Sequence, residues 1–167
     1  MRIYLIGFMG SGKSYLGKLW AAQNNLSFYD LDEIIEETAC NLINEIFDKK
    51  GENYFRKIEA EILRKTINTE NCIIACGGGT ACFYDNIKWM NENGITVFLN
   101  PSTDILIKNL LPQKEQRPLL QSIREDALQS FIEDKLKERL PFYKASKITI
   151  ENEYLHAKGF KEILKNI

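Results

Sequence analysis

The residues Gly7-Phe8-Met9-Gly10-Ser11-Gly12-Lys13-Ser14 match the pattern G-x-x-x-x-G-K-[ST] at every fixed position and directly follow the apolar run Ile3-Tyr4-Leu5-Ile6. A glycine-rich loop between a buried strand and a helix lets successive backbone N–H groups converge on an anion, because no side chains block the approach. In that setting Lys13 reaches the β- and γ-phosphates of a nucleotide as a mobile point charge, and the Ser14 hydroxyl ligates a Mg²⁺ shared with it. Gly10, Ser11, Gly12 and Tyr15 complete the expected cradle. An ordinary glycine-rich turn is the plain alternative. The strand before the loop and the helical pattern from Tyr15 to Ala22 after it favour the nucleotide.

Phosphoryl transfer also needs a metal, cations for the developing charge and a positioned acceptor. Asp30 and Asp32 stand two residues apart at the end of a short strand, so in an extended segment their carboxylates share a side. One can hold Mg²⁺ through water and the other can accept a proton from an attacking hydroxyl. Asp32 read alone is a helix N-cap. Arg56 and Glu59 have i,i+3 spacing, which fits a surface ion pair; it fits equally a carboxylate that orients a guanidinium for a bidentate grip on a substrate carboxylate. Gly77-Gly78-Gly79 follows another apolar run, and three glycines suit close approach of a ligand to the main chain better than a plain turn. Arg117 in Arg117-Pro118-Leu119-Leu120 can fold over the phosphates and exclude water, although an exposed loop charge is the simpler reading for that residue alone. Arg139 lies at the end of the next helix, four residues before Tyr143.

The elements that must carry these groups alternate along the chain. Apolar strands are expected at Ile3–Ile6, 27–29, 72–75, 95–99 and 148–150, with helices over 15–22, 33–38, 42–50, 55–62, 85–93, 102–111, 123–140 and 155–164. Gly51 separates two of the helices, and Pro112 to Ser122 reads as an irregular, mobile segment. Such alternation predicts a parallel sheet covered on both faces, with ligands at the carboxyl ends of the strands. At 167 residues one domain is expected. With 22 basic and 23 acidic residues and a net charge of −1, the balance gives no reason to expect nucleic acid or membrane as a partner. The chain opens on a strand and has no apolar run long enough to span a bilayer, so a cytoplasmic location is expected. Cys40, Cys72, Cys76 and Cys82 lack zinc-pair spacing, Cys72 and Cys76 read as small apolar residues, and His156, the single histidine, reads as a solvated surface residue.

In this order the motifs resemble those of the shikimate kinases, the P-loop kinases of the chorismate pathway. The likeness runs from Met1 to about Ile150 through Gly10-Ser11-Gly12-Lys13-Ser14, Asp30-Leu31-Asp32, Phe55-Arg56 with Glu59, Gly77-Gly78-Gly79, Arg117-Pro118-Leu119-Leu120 and Arg139. The resemblance implies a three-layer α/β/α P-loop NTPase fold of the nucleoside-monophosphate-kinase type with a central parallel five-stranded sheet. It implies ATP and Mg²⁺ as cofactors, shikimate as a small-molecule substrate, and a monomer. By the same resemblance Asp32 binds the shikimate hydroxyls and serves as base, Arg56 and Arg139 hold the carboxylate, and Gly78 contacts it through the main chain. Lys13 and Arg117 act on the phosphates, Ser14 ligates Mg²⁺ directly and Asp30 stands in its outer shell. Substrate-binding helices are then expected over about 31–62 and a lid over about 111–122.

The sequence departs from the family pattern at Leu110, where a second lid arginine is usual and where Lys108 and Lys114 are candidate substitutes. It departs also at Ala75-Cys76, usually Ser-Thr, and after Ile150, where the adenine-contacting segment has no match. A kinase of another hydroxy-acid such as gluconate is the alternative within enzymes, since gluconate also offers a carboxylate and hydroxyls. A GTPase would need a guanine-reading N-K-x-D sequence, which is absent.

Overall fold

The five apolar runs form one parallel sheet in a computed structural model that describes residues 1–116, 118–121 and 123–166. The strands are β1 (Arg2–Ile6), β2 (Ser27–Asp30), β3 (Cys72–Ala75), β4 (Ile95–Asn100) and β5 (Ile148–Glu151), ordered β2-β3-β1-β4-β5. The helices are α1 (Lys13–Gln23), α2 (Leu31–Ala39), α3 (Ile43–Lys65), α4 (Asn86–Asn93), α5 (Thr103–Leu110), α6 (Pro118–Gln121), α7 (Leu128–Lys144) and α8 (Phe160–Leu164).

Alternation along β1 sends its side chains to two cores. Ile3 and Leu5 join Ile73, Val97, Leu99, Ile148 and Ile150 against Leu16 and Trp20 of α1 and Phe160 and Ile163 of α8. Tyr4 and Ile6 join Ile74 and Phe98 against Ile35, Leu63, Met90 and Tyr143 from α2, α3, α4 and α7. Both faces of the sheet are thus covered, which is the three-layer α/β/α arrangement expected. Trp20 is fully buried, and its indole N–H donates to the carbonyl of His156 at 3.0 Å, tying α1 to the segment before α8. The His156 ring itself is exposed.

β1 lies between β3 and β4, pairing Ile3 with Ile73 on one side and Ile95 on the other. The loop leaving its carboxyl end therefore opens at the middle of the sheet edge. The ends of β2 and β3 lie beside it, so three loops meet where open α/β sheets bind ligands.

Several boundaries differ from those the pattern predicts. Gly51, at φ 78° and ψ 169°, separates the two helical stretches of α3 as expected, but the second continues past 62 to Lys65. The segment expected to be irregular contains a 3-10 turn over Leu111–Gln116 and the short helix α6. Pro112 and Pro118 look like breakers in the sequence, but they occupy the opening residues of these turns, where a proline's missing N–H costs nothing. The helix expected from Ile123 starts at Leu128, because Arg124 is extended (ψ 152°) and Glu125–Ala127 is a 3-10 turn. It continues through Pro141 to Lys144, its last turn held by the buried Tyr143. The expected terminal helix shortens to α8, preceded by Gly159. Among the described residues no helix is long and apolar enough to cross a membrane.

Gly17 lets α1 pack closely on the sheet: a Cβ there would stand 2.6 Å from Phe28 and 3.1 Å from Leu5. Gly17→Ala is therefore expected to destabilise the protein by about 1–3 kcal/mol through overpacking, read from the midpoint of urea unfolding. An unchanged midpoint would mean that α1 can lift off β2 without cost.

Candidate active site

The loop after β1 takes its shape from glycines at positive φ, 140° at Gly7, 79° at Gly10 and 89° at Gly12, a region that other residues rarely enter. Gly10 is doubly constrained, since a Cβ there would stand 2.8 Å from Leu110, which is fully buried in α5. The position of the missing lid arginine is thus a packing contact beneath the loop. Lys13 is the first residue of α1, and its Nζ donates to the carbonyls of Gly7 (2.9 Å) and Phe8 (2.8 Å), bracing the loop from inside. Ser11 is buried, while Ser14 and Tyr15 are exposed at the start of α1.

The end of β2 brings Asp30 to this loop. Its Oδ2 accepts from the Ser14 hydroxyl at 2.5 Å and its Oδ1 from the N–H of Asp32 at 3.1 Å, so Asp30 is the N-cap of α2. The reading of Asp32 alone as a cap is thereby corrected: an extended backbone at Asp30 puts the cap two residues earlier and releases Asp32 from that duty.

The end of β3 supplies the glycines. A Cβ on Gly77 would meet Glu59 Oε1 at 2.9 Å and Asp32 Oδ1 at 3.0 Å, and one on Gly79 would meet Arg56 Nη2 at 2.5 Å. Gly78 passes 3.5 Å from Arg139 by the same measure. At Gly77 and Gly79 only a bare backbone leaves these charged side chains room, whereas at Gly78 the tight neighbour of a Cβ would be the backbone nitrogen of Met9 at 3.1 Å.

Arg56 and Glu59 are not a surface pair. Their side chains are 6% and 0% exposed, and Arg56 Nη1 donates to Glu59 Oε2 at 2.8 Å. The surface reading fails because the triple-glycine strip, distant in sequence, covers this face of α3. Thr80 donates to Glu59 Oε1 at 2.6 Å, and Glu52 accepts from Arg56 Nε and Nη2 at 3.2 and 3.1 Å. Burial acts to lower the Arg56 pKa, but the two carboxylates outweigh it and hold the guanidinium above its ordinary value. The Arg56 guanidinium carbon lies over the rings of Phe83 and Phe55, 4.7 and 5.0 Å from their centres. On the other side Arg139 Nη1 and the Tyr143 hydroxyl both donate to the Gly78 carbonyl, and Phe98 stacks on Tyr143 at 5.1 Å. Burial pushes the Tyr143 pKa up, which keeps its hydroxyl a donor.

Two cavities open on these groups. One, of about 250 Å³, is lined by Asp32, Arg56, Glu59, Gly77, Gly78, Gly79 and Arg139, with Phe47, Phe55 and Ile43 as its apolar wall. The other is lined by Gly10, Gly12, Lys13, Ser14, Tyr15 and Asp30, with Lys108 and Asn109 opposite. Met9, Asp32, Gly77 and Gly78 line both, so the cavities share a wall and Asp32 stands in it.

Every sequence-derived site residue that is described thus lines one cavity or the other, apart from Ser11, which is buried within the loop; of the two lysines offered in place of the lid arginine, Lys108 lines the loop-side cavity and Lys114 lines neither. Arg117 lies outside the described residues. Cys72 and Cys76 are buried, and burial pushes the Cys76 thiol pKa well up. Sequence reasoning passes over Thr80, Glu36 and Asn44. Glu36 could have been found from its i+4 spacing to Asp32, which puts both on one face of α2.

A family model described as shikimate kinase matches residues 9–167. A shikimate kinase of Bacteroides thetaiotaomicron is 46% identical over 143 residues, 86% of this chain and 82% of that one. A crystal structure of shikimate kinase from the same organism superposes with a TM-score of 0.91 at 39% identity, covering 99% of this chain and 98% of that one. The shikimate kinase of Acinetobacter baumannii in complex with shikimate superposes with a TM-score of 0.88 at 31% identity, covering 98% and 90%.

Glu59→Gln keeps the shape of the buried carboxylate and removes its charge, leaving Arg56 with Glu52 alone. Breaking a buried pair in this way is expected to cost about 3 kcal/mol or more, read as a fall in the midpoint of urea unfolding. A midpoint within error of the parent protein would show that the pair is open to water.

Proposed function

The chain belongs to the shikimate kinase family, and from that premise we propose that it transfers the γ-phosphoryl group of ATP to the 3-hydroxyl of shikimate, giving shikimate 3-phosphate and ADP on the chorismate route to aromatic amino acids. The observation that carries the reading is the shared wall: one cavity is built for a polyphosphate, the other for a small acid, and Asp32 borders both. The relatives argue for shikimate over gluconate as the acceptor.

Each part of the reaction has a residue suited to it. The backbone N–H groups from Gly10 to Ser14 receive the phosphates, and Lys13 leaves its loop carbonyls to meet the negative charge. Ser14 and Asp30 offer hydroxyl and carboxylate oxygens, the hard donor set that suits Mg²⁺, and they would hold the ion from the nucleotide side. Bound there, Mg²⁺ spreads the charge of the transferring group. Arg56 and Arg139 take the shikimate carboxylate between them, where two planar forks match a carboxylate better than ammonium groups would. That grip turns the ring so that its 3-hydroxyl lies against Asp32. As the hydroxyl oxygen forms its bond to the γ-phosphorus, the bond from that phosphorus to the β–γ bridging oxygen breaks, its electron pair leaves on ADP, and Asp32 receives the hydroxyl proton. Arg117 belongs to the nucleotide side by its motif.

The test is ADP release measured with shikimate, gluconate and AMP as alternative acceptors. Release that depends on shikimate and is absent with gluconate and AMP is expected. Turnover with gluconate or AMP and none with shikimate would overturn the assignment.

A further inference from the structure

The wall of the acid cavity opposite the glycines comes from the first turns of α3, through Ile43, Asn44 and Phe47. This stretch is held by packing, with Ile46 buried in the core and Phe47 against Phe55, but it has no capping side chain of its own. Its N-cap is Leu42, whose side chain cannot accept a hydrogen bond and is exposed. At the far end Gly51 breaks the helix at φ 78°, with nothing within 4 Å of where a Cβ would stand. The segment from 43 to 50 is therefore a stiff rod jointed at Gly51.

Glu36 ties down the uncapped end. Its Oε1 accepts the N–H of Ile43 at 2.9 Å, reaching from α2 across to the first residue of α3. A carboxylate at a helix N-terminus both satisfies an orphan donor and meets the positive end of the helix dipole. Glu36 has no cation within ion-pair distance among the described residues, so this amide is its fixed partner. It also lies one turn after Asp32 on the same face of α2, so the residue that borders both cavities and the clasp on the far wall share one helix.

We propose that Glu36 is a positioning residue for the acceptor: by clasping Ile43 it sets the distance between the α3 wall and the Asp32 face of α2, and so controls acceptor affinity without acting on the nucleotide. The reading rests on the kinase assignment above for its substrate, but the clasp is a property of this chain alone.

The test compares Glu36→Ala, Glu36→Gln and Glu36→Ala combined with Leu42→Ser. Losing the clasp is expected to raise the KM for shikimate about tenfold in Glu36→Ala, with the KM for ATP unchanged. Glu36→Gln still accepts from Ile43 and should stay within about twofold of the parent. Leu42→Ser gives α3 a cap of its own, so the double variant should recover the melting temperature while its shikimate KM stays high. A KM restored by Leu42→Ser, or one unchanged in Glu36→Ala, would overturn the proposal. Amide hydrogen exchange supplies a readout independent of turnover: residues 43–47 should exchange faster in Glu36→Ala while 55–62 do not change. Unchanged exchange at 43–47 would overturn the clasp whatever the substrate, whereas failure of the parent protein to phosphorylate shikimate would count against the kinase assignment and leave the exchange result to judge the clasp.

Discussion

A buried carboxylate has to be paired, and the arrangement around Glu59 follows from that requirement. One oxygen takes Arg56 and the other takes Thr80, so the ion pair survives burial because the lone pairs facing the protein are used. Arg56 in turn lies over the rings of Phe55 and Phe83 and is held by Glu52 through its Nε and Nη2. A guanidinium fixed in this way loses little freedom when a ligand carboxylate arrives, and preorganisation of that kind raises affinity without adding contacts.

The same requirement explains two of the three glycines after β3: Asp32 and Glu59 crowd Gly77 and Arg56 crowds Gly79, while Gly78 lies tight against the main chain of Met9 with Arg139 at ordinary contact distance. The strip also divides the two cavities, so the backbone that tolerates the charges is the partition across which a phosphoryl group would pass. On the other side of the partition the loop after β1 rests on Leu110 and is braced by Lys13, and Asp30 links it to α2 through Ser14. Asp30 caps α2 and borders the loop-side cavity, while Asp32, relieved of capping, stands in the wall between the two cavities.

Much of this is legible in the sequence, and for identifiable reasons. The three central strands β1, β3 and β4 are short apolar runs buried almost throughout, which is the pattern a covered parallel sheet imposes, while the edge strands β2 and β5 carry polar residues and are partly exposed. The loop after β1 is legible because its glycines, lysine and serine each answer a distinct need of a bound phosphate. Burial of the Arg56–Glu59 pair is not legible, because i,i+3 spacing records only that two residues are neighbours on a helix; what covers them arrives from β3, more than a turn of helix and a strand later in the chain. The turns at Leu111–Gln116 and Pro118–Gln121 are hidden for the opposite reason: proline marks the start of a helical turn as readily as the end of one. The capping role passes from Asp32 to Asp30 because the boundary between β2 and α2 depends on one residue's backbone angles, which periodicity does not resolve.

The central physical claim is that Arg56 and Arg139 are held ready for a carboxylate, so that charge on the acid selects the ligand. It is tested most directly by titration calorimetry of the unmodified protein with shikimate and with its neutral carboxamide. Two charge-assisted contacts predict that the acid binds at least about a hundredfold more tightly than the amide. Equal affinities would contradict the claim, because two arginines gripping a carboxylate cannot be indifferent to its charge.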